Sequence, residues 1–81
     1  MDQAAHHAEL RRLGELLRRV REDAGLVQAD VARDLGVPQS FVSKYESGER
    51  RLDLIELKEV AGALSVPLVE LVSAFVADSN R

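Results

Sequence analysis

Residues Gln28–Arg51 read QADVARDLGVPQSFVSKYESGERR, and the spacing within this stretch decides the fold. Two short segments with helical spacing of apolar residues, Gln28–Leu35 and Gln39–Ser47, flank a turn that begins at Gly36, and Gly48 closes the second segment. Helices that cross closely need a small residue at the contact, which Ala32 supplies. The sharp turn needs a residue tolerant of positive φ, which Gly36 supplies. Val31, Leu35, Val37, Val42 and Tyr45 are spaced to point into the crossing from both sides. Each match is cheap alone; together, at fixed spacing, they read as a helix-turn-helix formed by the second and third helices of the chain. The remaining positions of the third helix carry Gln39, Ser40, Ser43 and Lys44, and Arg50 and Arg51 follow Gly48. A helix written only for packing would hold Glu, Lys and Ala there. Donors and acceptors at those positions point instead to a partner read by hydrogen bonds.

Outward from this stretch, helical spacing dominates and nothing alternates like a strand. In Ala8–Gly25, Leu10, Leu13, Leu17, Val20 and Ala24 step by three and four to form one apolar stripe, and Gly25 is the expected stop. Asp53 followed by Glu56 is a capping pattern that opens a fourth helix, with Leu54, Leu57, Val60, Ala61 and Leu64 inward. Pro67 suits a first helical turn and opens a fifth helix through Asp78. Connections of two to six residues fit a compact helical domain. The expectation is an all-α, compact five-helix bundle forming one domain over residues 1–81, with residues 1–8 and 78–81 frayed.

The 81 residues carry a formal net charge of −3, with 46% hydrophobic and 31% charged residues, a globular balance rather than a disordered one. Acidity argues against a nucleic-acid partner until its distribution is read. Residues 1–52 hold nine basic and nine acidic side chains, whereas residues 53–81 hold two and five, so the excess lies in the tail. A basic face on the first two-thirds is therefore open. No cysteine is present, which fits a reducing cytoplasm. No apolar run approaches the ~20 residues that span a bilayer, so no membrane partner is expected. His6 and His7 lack a third ligand nearby, so no metal site is expected. There is no glycine-rich phosphate loop and no paired-carboxylate site, which argues against an enzyme, a cofactor or a small-molecule ligand.

The segments LGELLRRVREDAGLVQADVARDLGVPQSFVSKYESGERRLD and LKEVAGALSVPLVEL resemble the Cro/phage-repressor helix-turn-helix domains, the Xre-type regulators, over about Leu13 to Leu71. That resemblance implies a phage-repressor-type DNA-binding domain that acts as a transcriptional regulator. It also implies a double-stranded operator, an inverted repeat, as partner. By the same resemblance, Gln39 stands where the family reads a base, and a Gln amide pairs bidentately with adenine. Ser40, Ser43 and Lys44 fall at neighbouring reading positions. Gln28 matches a phosphate-gripping residue at a helix start. Arg50 and Arg51 match a loop that touches the DNA backbone, which positions the protein without reading sequence. Arg21 and Glu46 match an ion pair that fixes the third helix on the scaffold. Two departures are visible: Val27 replaces the usual hydroxyl cap of the second helix, and Pro38 replaces that of the third.

Leu68, Val69, Leu71, Val72, Phe75 and Val76 give the fifth helix more apolar surface than one side of a small domain buries. A homodimer through Leu68, Val69, Val72, Phe75 and Val76 is expected, placing two reading helices one DNA turn, ~34 Å, apart. Plainer readings stay open at this point. Lys44 can be a solvated charge, Arg50 and Arg51 can pair with Glu46 and Glu49, and Phe41 can pack rather than touch a thymine methyl. A protein-interaction module, an antitoxin or adaptor using Phe41 and the fifth helix, is the competing function.

Overall fold

The computed structural model describes residues 2–79, which form five helices and no strand. They are α1 (Gln3–Asp23), α2 (Gln28–Leu35), α3 (Gln39–Ser47), α4 (Leu54–Ala63) and α5 (Leu68–Ser79). α3 lies between α1 and α2, α4 packs against α2, and α5 closes the bundle against α4 and α1.

Each boundary has a local cause. α1 starts at Gln3, where the Asp2 carboxylate accepts the Ala4 amide at 3.2 Å. Residues 3–8, expected as frayed chain, are therefore helical, because an aspartate satisfies an amide that an uncapped start would leave bare. At the other end, Asp78 belongs to α5 and pairs with Arg19 at 3.1 Å, while residues 80–81 lie outside the described residues. Val27, at the cap of α2, has no side-chain acceptor. The Asp30 carboxylate instead takes the Val27 amide at 2.9 Å, which is the return half of a capping box. Gly36 ends α2 with φ of 69°, a left-handed turn that β-carbons disfavour. At the head of α4 both halves of the box form: the Glu56 amide donates to Asp53 at 2.7 Å and the Asp53 amide to Glu56 at 2.9 Å.

The core is built from Leu17, Val31, Ala32, Val42, Tyr45, Val60, Ala61, Leu64 and Leu71. Fully burying one such leucine or valine is worth roughly 1.5–3 kcal/mol, so these contacts carry most of the stability of a small domain. Three apolar assignments change. Ala24 is exposed because it sits at the C-terminal cap of α1, beyond the packed turns. Leu54 is 68% exposed at the first turn of α4, before that helix reaches the core. Leu16, beside Leu17, is buried instead.

α4 also contains an exposed glycine, Gly62, in helical conformation, and a β-carbon there would meet nothing within 4 Å. With no neighbour to disturb, Gly62→Ala should stabilise the protein by about 0.5–1 kcal/mol, through the lower backbone entropy of the unfolded chain. A urea midpoint at or below that of the parent protein would contradict this.

Candidate nucleic-acid interface

The three-residue connection between α2 and α3, residues 36–38, sets α3 across α2 with Val31 and Ala32 buried on one side and Val42 and Tyr45 on the other. With those residues inward, helical periodicity turns Gln39, Ser40, Ser43 and Lys44 outward, and all four are exposed. They lie at steps of one, three and four, so they share one face. Phe41 is half-buried and meets Tyr45 edge to face, with ring centroids 5.9 Å apart. Tyr45 is core, and its hydroxyl has no hydrogen-bond partner among the described residues. Burial raises its pKa far above the ordinary tyrosine value.

Behind this face runs a chain of charged and amide groups. Arg21 Nε donates to Glu46 Oε2 at 2.7 Å and Arg21 Nη2 to Glu46 Oε1 at 3.0 Å, while Nη1 donates to the Leu26 carbonyl at 2.9 Å. Both side chains are buried, at 9% and 4% exposure. Hydrogen bonding to Glu46 raises the Arg21 pKa against the opposing pull of burial. Gln28 Nε2 donates to Glu46 Oε1 at 2.9 Å, and Gln39 Nε2 reaches Gln28 Oε1 at 3.4 Å. A carboxylate only accepts, so Glu46 fixes which end of the Gln28 amide faces it, and that leaves the Gln28 oxygen toward Gln39. Spacing along the helices carried no signal of this link between two glutamines eleven positions apart. It needs the fold.

The loop after α3 treats its two arginines differently. Arg50 lies over the Phe41 ring at 4.2 Å and donates to the Arg51 carbonyl at 2.7 Å and to Glu56 at 2.8 Å. The Arg51 side chain is exposed and has no side-chain partner among the described residues. Neither arginine pairs with Glu46, which Arg21 occupies, or with Glu49, whose carboxylate faces the Ser47 hydroxyl at 3.2 Å. The Arg50 hydrogen bond, helped by the Asp53 amide, holds the Glu56 carboxyl below the usual carboxylate range. On α2, the Val27 amide does the same for Asp30, which also pairs with Arg33 at 3.0 Å.

On α5, Val69, Val72 and Val76 are exposed, at 75%, 42% and 49%, whereas Leu68 and Phe75 are half-buried. The Phe75 ring lies beneath the Arg12 guanidinium at 4.7 Å, so one of its faces is already covered. Leu54 and Ile55 add exposed apolar surface at the head of α4, which the stripe reading assigned inward for Leu54 and passed over for Ile55. Among the described residues, no group of three or more His, Asp or Glu side chains is arranged to hold a metal ion. Among those residues, no single helix is long and apolar enough to cross a membrane.

Two crossed helices on a three-helix scaffold, with a polar outward face on the second of them, define a helix-turn-helix protein. Residues 17–71 match the family model described as helix-turn-helix, and the chain belongs to this family, as an Xre-type member of its DNA-binding transcriptional regulators. It is 39% identical over 66 residues to the HTH-type transcriptional regulator y4dJ of Sinorhizobium fredii, covering 80% of this chain and 86% of that one. Among solved structures it resembles an XRE-family like protein from Pseudomonas syringae pv. tomato, 40% identical with a TM-score of 0.82, covering 93% of this chain and 92% of that one. It also resembles the restriction-modification controller protein C.AhdI from Aeromonas hydrophila, 34% identical with a TM-score of 0.74, covering 79% and 97%.

Proposed function

We propose that the protein is a dimeric repressor or autoregulator that reads an inverted-repeat operator in the major groove with α3. The observation that carries this reading is the chain from Arg21 through Glu46 and Gln28 to Gln39. It runs from the buried scaffold to the first residue of an exposed donor-and-acceptor face. A side chain held by a second one before the DNA arrives loses less entropy on pairing with a base. Gln39 is the adenine reader, Ser40, Ser43 and Lys44 read or flank neighbouring bases, and Gln28 and Arg51 hold phosphates. Arg50 stands next to Arg51 in the same loop. Homodimer formation through Val69, Val72 and Val76, with Leu68 and Phe75 behind them, brings two such faces to one side of the duplex. The activity is binding without a cofactor, and its place is the cytoplasm, with the DNA.

Selection of bound sites from a random-duplex pool at ~150 mM salt, near physiological ionic strength, should recover an inverted repeat with half-site centres ~10 base pairs apart. Gln39→Ala should leave folding unchanged and relax preference at one base pair per half-site, at about 1–3 kcal/mol. A folded protein that enriches no sequence would sink the direct-readout assignment of Gln39 and Lys44. Attention would then move to α5 as a protein-binding face.

A further inference from the structure

Arg50 and Arg51 stand side by side in one loop, and charge alone gives them the same job, yet their surroundings differ. The Arg50 guanidinium is engaged on three sides: the Phe41 ring at 4.2 Å, the Arg51 carbonyl at 2.7 Å and Glu56 at 2.8 Å. The same Glu56 carboxylate accepts the Asp53 amide at the head of α4. Arg50 thus joins three places: the first turn of α3 through Phe41, the loop backbone at Arg51, and the capping box of α4. A phosphate could take this guanidinium only in competition with a carboxylate already in place. Arg51 carries no such burden, and its own carbonyl is what Arg50 holds.

We infer that Arg50 is a positioning residue, which with Glu56 and Phe41 fixes the loop so that Arg51 is the side chain presented to the DNA backbone. The inference rests on the reading of α3 as the DNA-reading helix and divides the labour within that interface. A planar guanidinium is required, because it stacks on a ring while its edge donates to two acceptors; an ammonium has the charge without that geometry.

The two roles for Arg50 give opposite signs for one substitution. Glu56→Gln keeps an oxygen for the Asp53 amide, since Gln serves at this capping position, but removes the charge that holds Arg50. If Arg50 were a phosphate ligand, Glu56→Gln would free it, remove a negative charge and tighten operator binding. As a positioning residue, its release should weaken binding about three- to fivefold, the upper range of a half-exposed ion pair.

The experiment is operator affinity of the full chain across 50–200 mM salt for the parent and for Glu56→Gln, Arg50→Lys and Arg51→Ala, with folding checked by circular dichroism. Expected are losses for Glu56→Gln and Arg50→Lys with the parent's salt slope, and for Arg51→Ala a slope lower by about one. Unchanged or tighter binding by Glu56→Gln, or parent-like binding by Arg50→Lys, overturns the positioning role. An unchanged slope for Arg51→Ala overturns the assignment of the phosphate contact. A parent protein that prefers no duplex is a different result: it removes the DNA reading itself, and the inference falls with it.

Discussion

Glu46→Ala is expected to destabilise the protein by about 3–5 kcal/mol, the cost of removing one partner from a buried ion pair. The loss is large because of what stays behind. Arg21 keeps its buried charge, with the Leu26 carbonyl as its one remaining hydrogen-bond acceptor among the described residues, and the Gln28 amide loses its acceptor. At roughly 0.05–0.15 kcal/mol per residue, a chain of this length holds about 4–12 kcal/mol in total, so the substitution removes a large share. Urea denaturation should show a lower midpoint with little change in slope. Replacing both partners by apolar residues of similar volume, Arg21→Met with Glu46→Leu, should recover most of the stability, because no charge is then left without a partner. That double variant should still bind the operator more weakly, since Gln28 no longer has an acceptor that sets its direction toward Gln39. A Glu46→Ala loss below about 1 kcal/mol, the range of exposed pairs, would mean that water reaches and replaces this contact.

The bundle was legible in the sequence because local rules agreed with one another. Ala32 and Gly36 name a close crossing and its turn, Asp53 with Glu56 names a helix start, and the α2 and α3 boundaries follow from the glycines that end them. The start of α1 was not legible, since Asp2 caps a run with little apolar spacing, and capping without a stripe reads as a polar end. The inward assignment of Leu54 failed for a related reason: periodicity says which residues share a face, not how far along the helix the core extends. Within the candidate site, the outward face of α3 follows from the inward one, so Gln39, Ser40, Ser43 and Lys44 could be placed by subtraction. The partners of those residues could not. Gln28 meets Gln39 and Arg50 meets Glu56 across a turn and a loop, where no repeat links sequence distance to space. A signal of another kind is Gly14, a glycine in mid-helix, which costs stability unless packing requires it.

Packing does require it. A β-carbon on Gly14 would lie 2.5 Å from the Tyr45 carbonyl oxygen and closer still to that of Glu46. Both are backbone atoms at the end of α3, so no side chain can swing aside to make room. The approach is reciprocal: Gly48, with φ of +86°, has space for a β-carbon only inside Arg11, at 2.7 Å from its Cγ and 3.0 Å from its Cα. α1 and the end of α3 therefore touch backbone to backbone at two points one helical turn apart along α1. Gly14→Ala sets two effects against each other. Alanine in a helix interior is normally favoured over glycine by about 0.5–1 kcal/mol, whereas overpacking a tight contact costs typically about 1–3 kcal/mol, and sometimes more. The collision is with rigid backbone at a buried site, which places the cost at the upper end, and a net loss of about 2 kcal/mol is expected. Stability alone could reflect any crowded site, so operator affinity is the second measurement. Relief of the clash has to move α3 relative to α1, and that displaces the end of the helix that carries Gln39, so specific binding should fall more than binding to random duplex. Gly62→Ala is the matched control, the same chemical change in a helix with open space beside it, and it should stabilise the protein and leave operator affinity unchanged. Equal effects at the two glycines would mean that helix propensity, not the approach of α1 to α3, governs both positions.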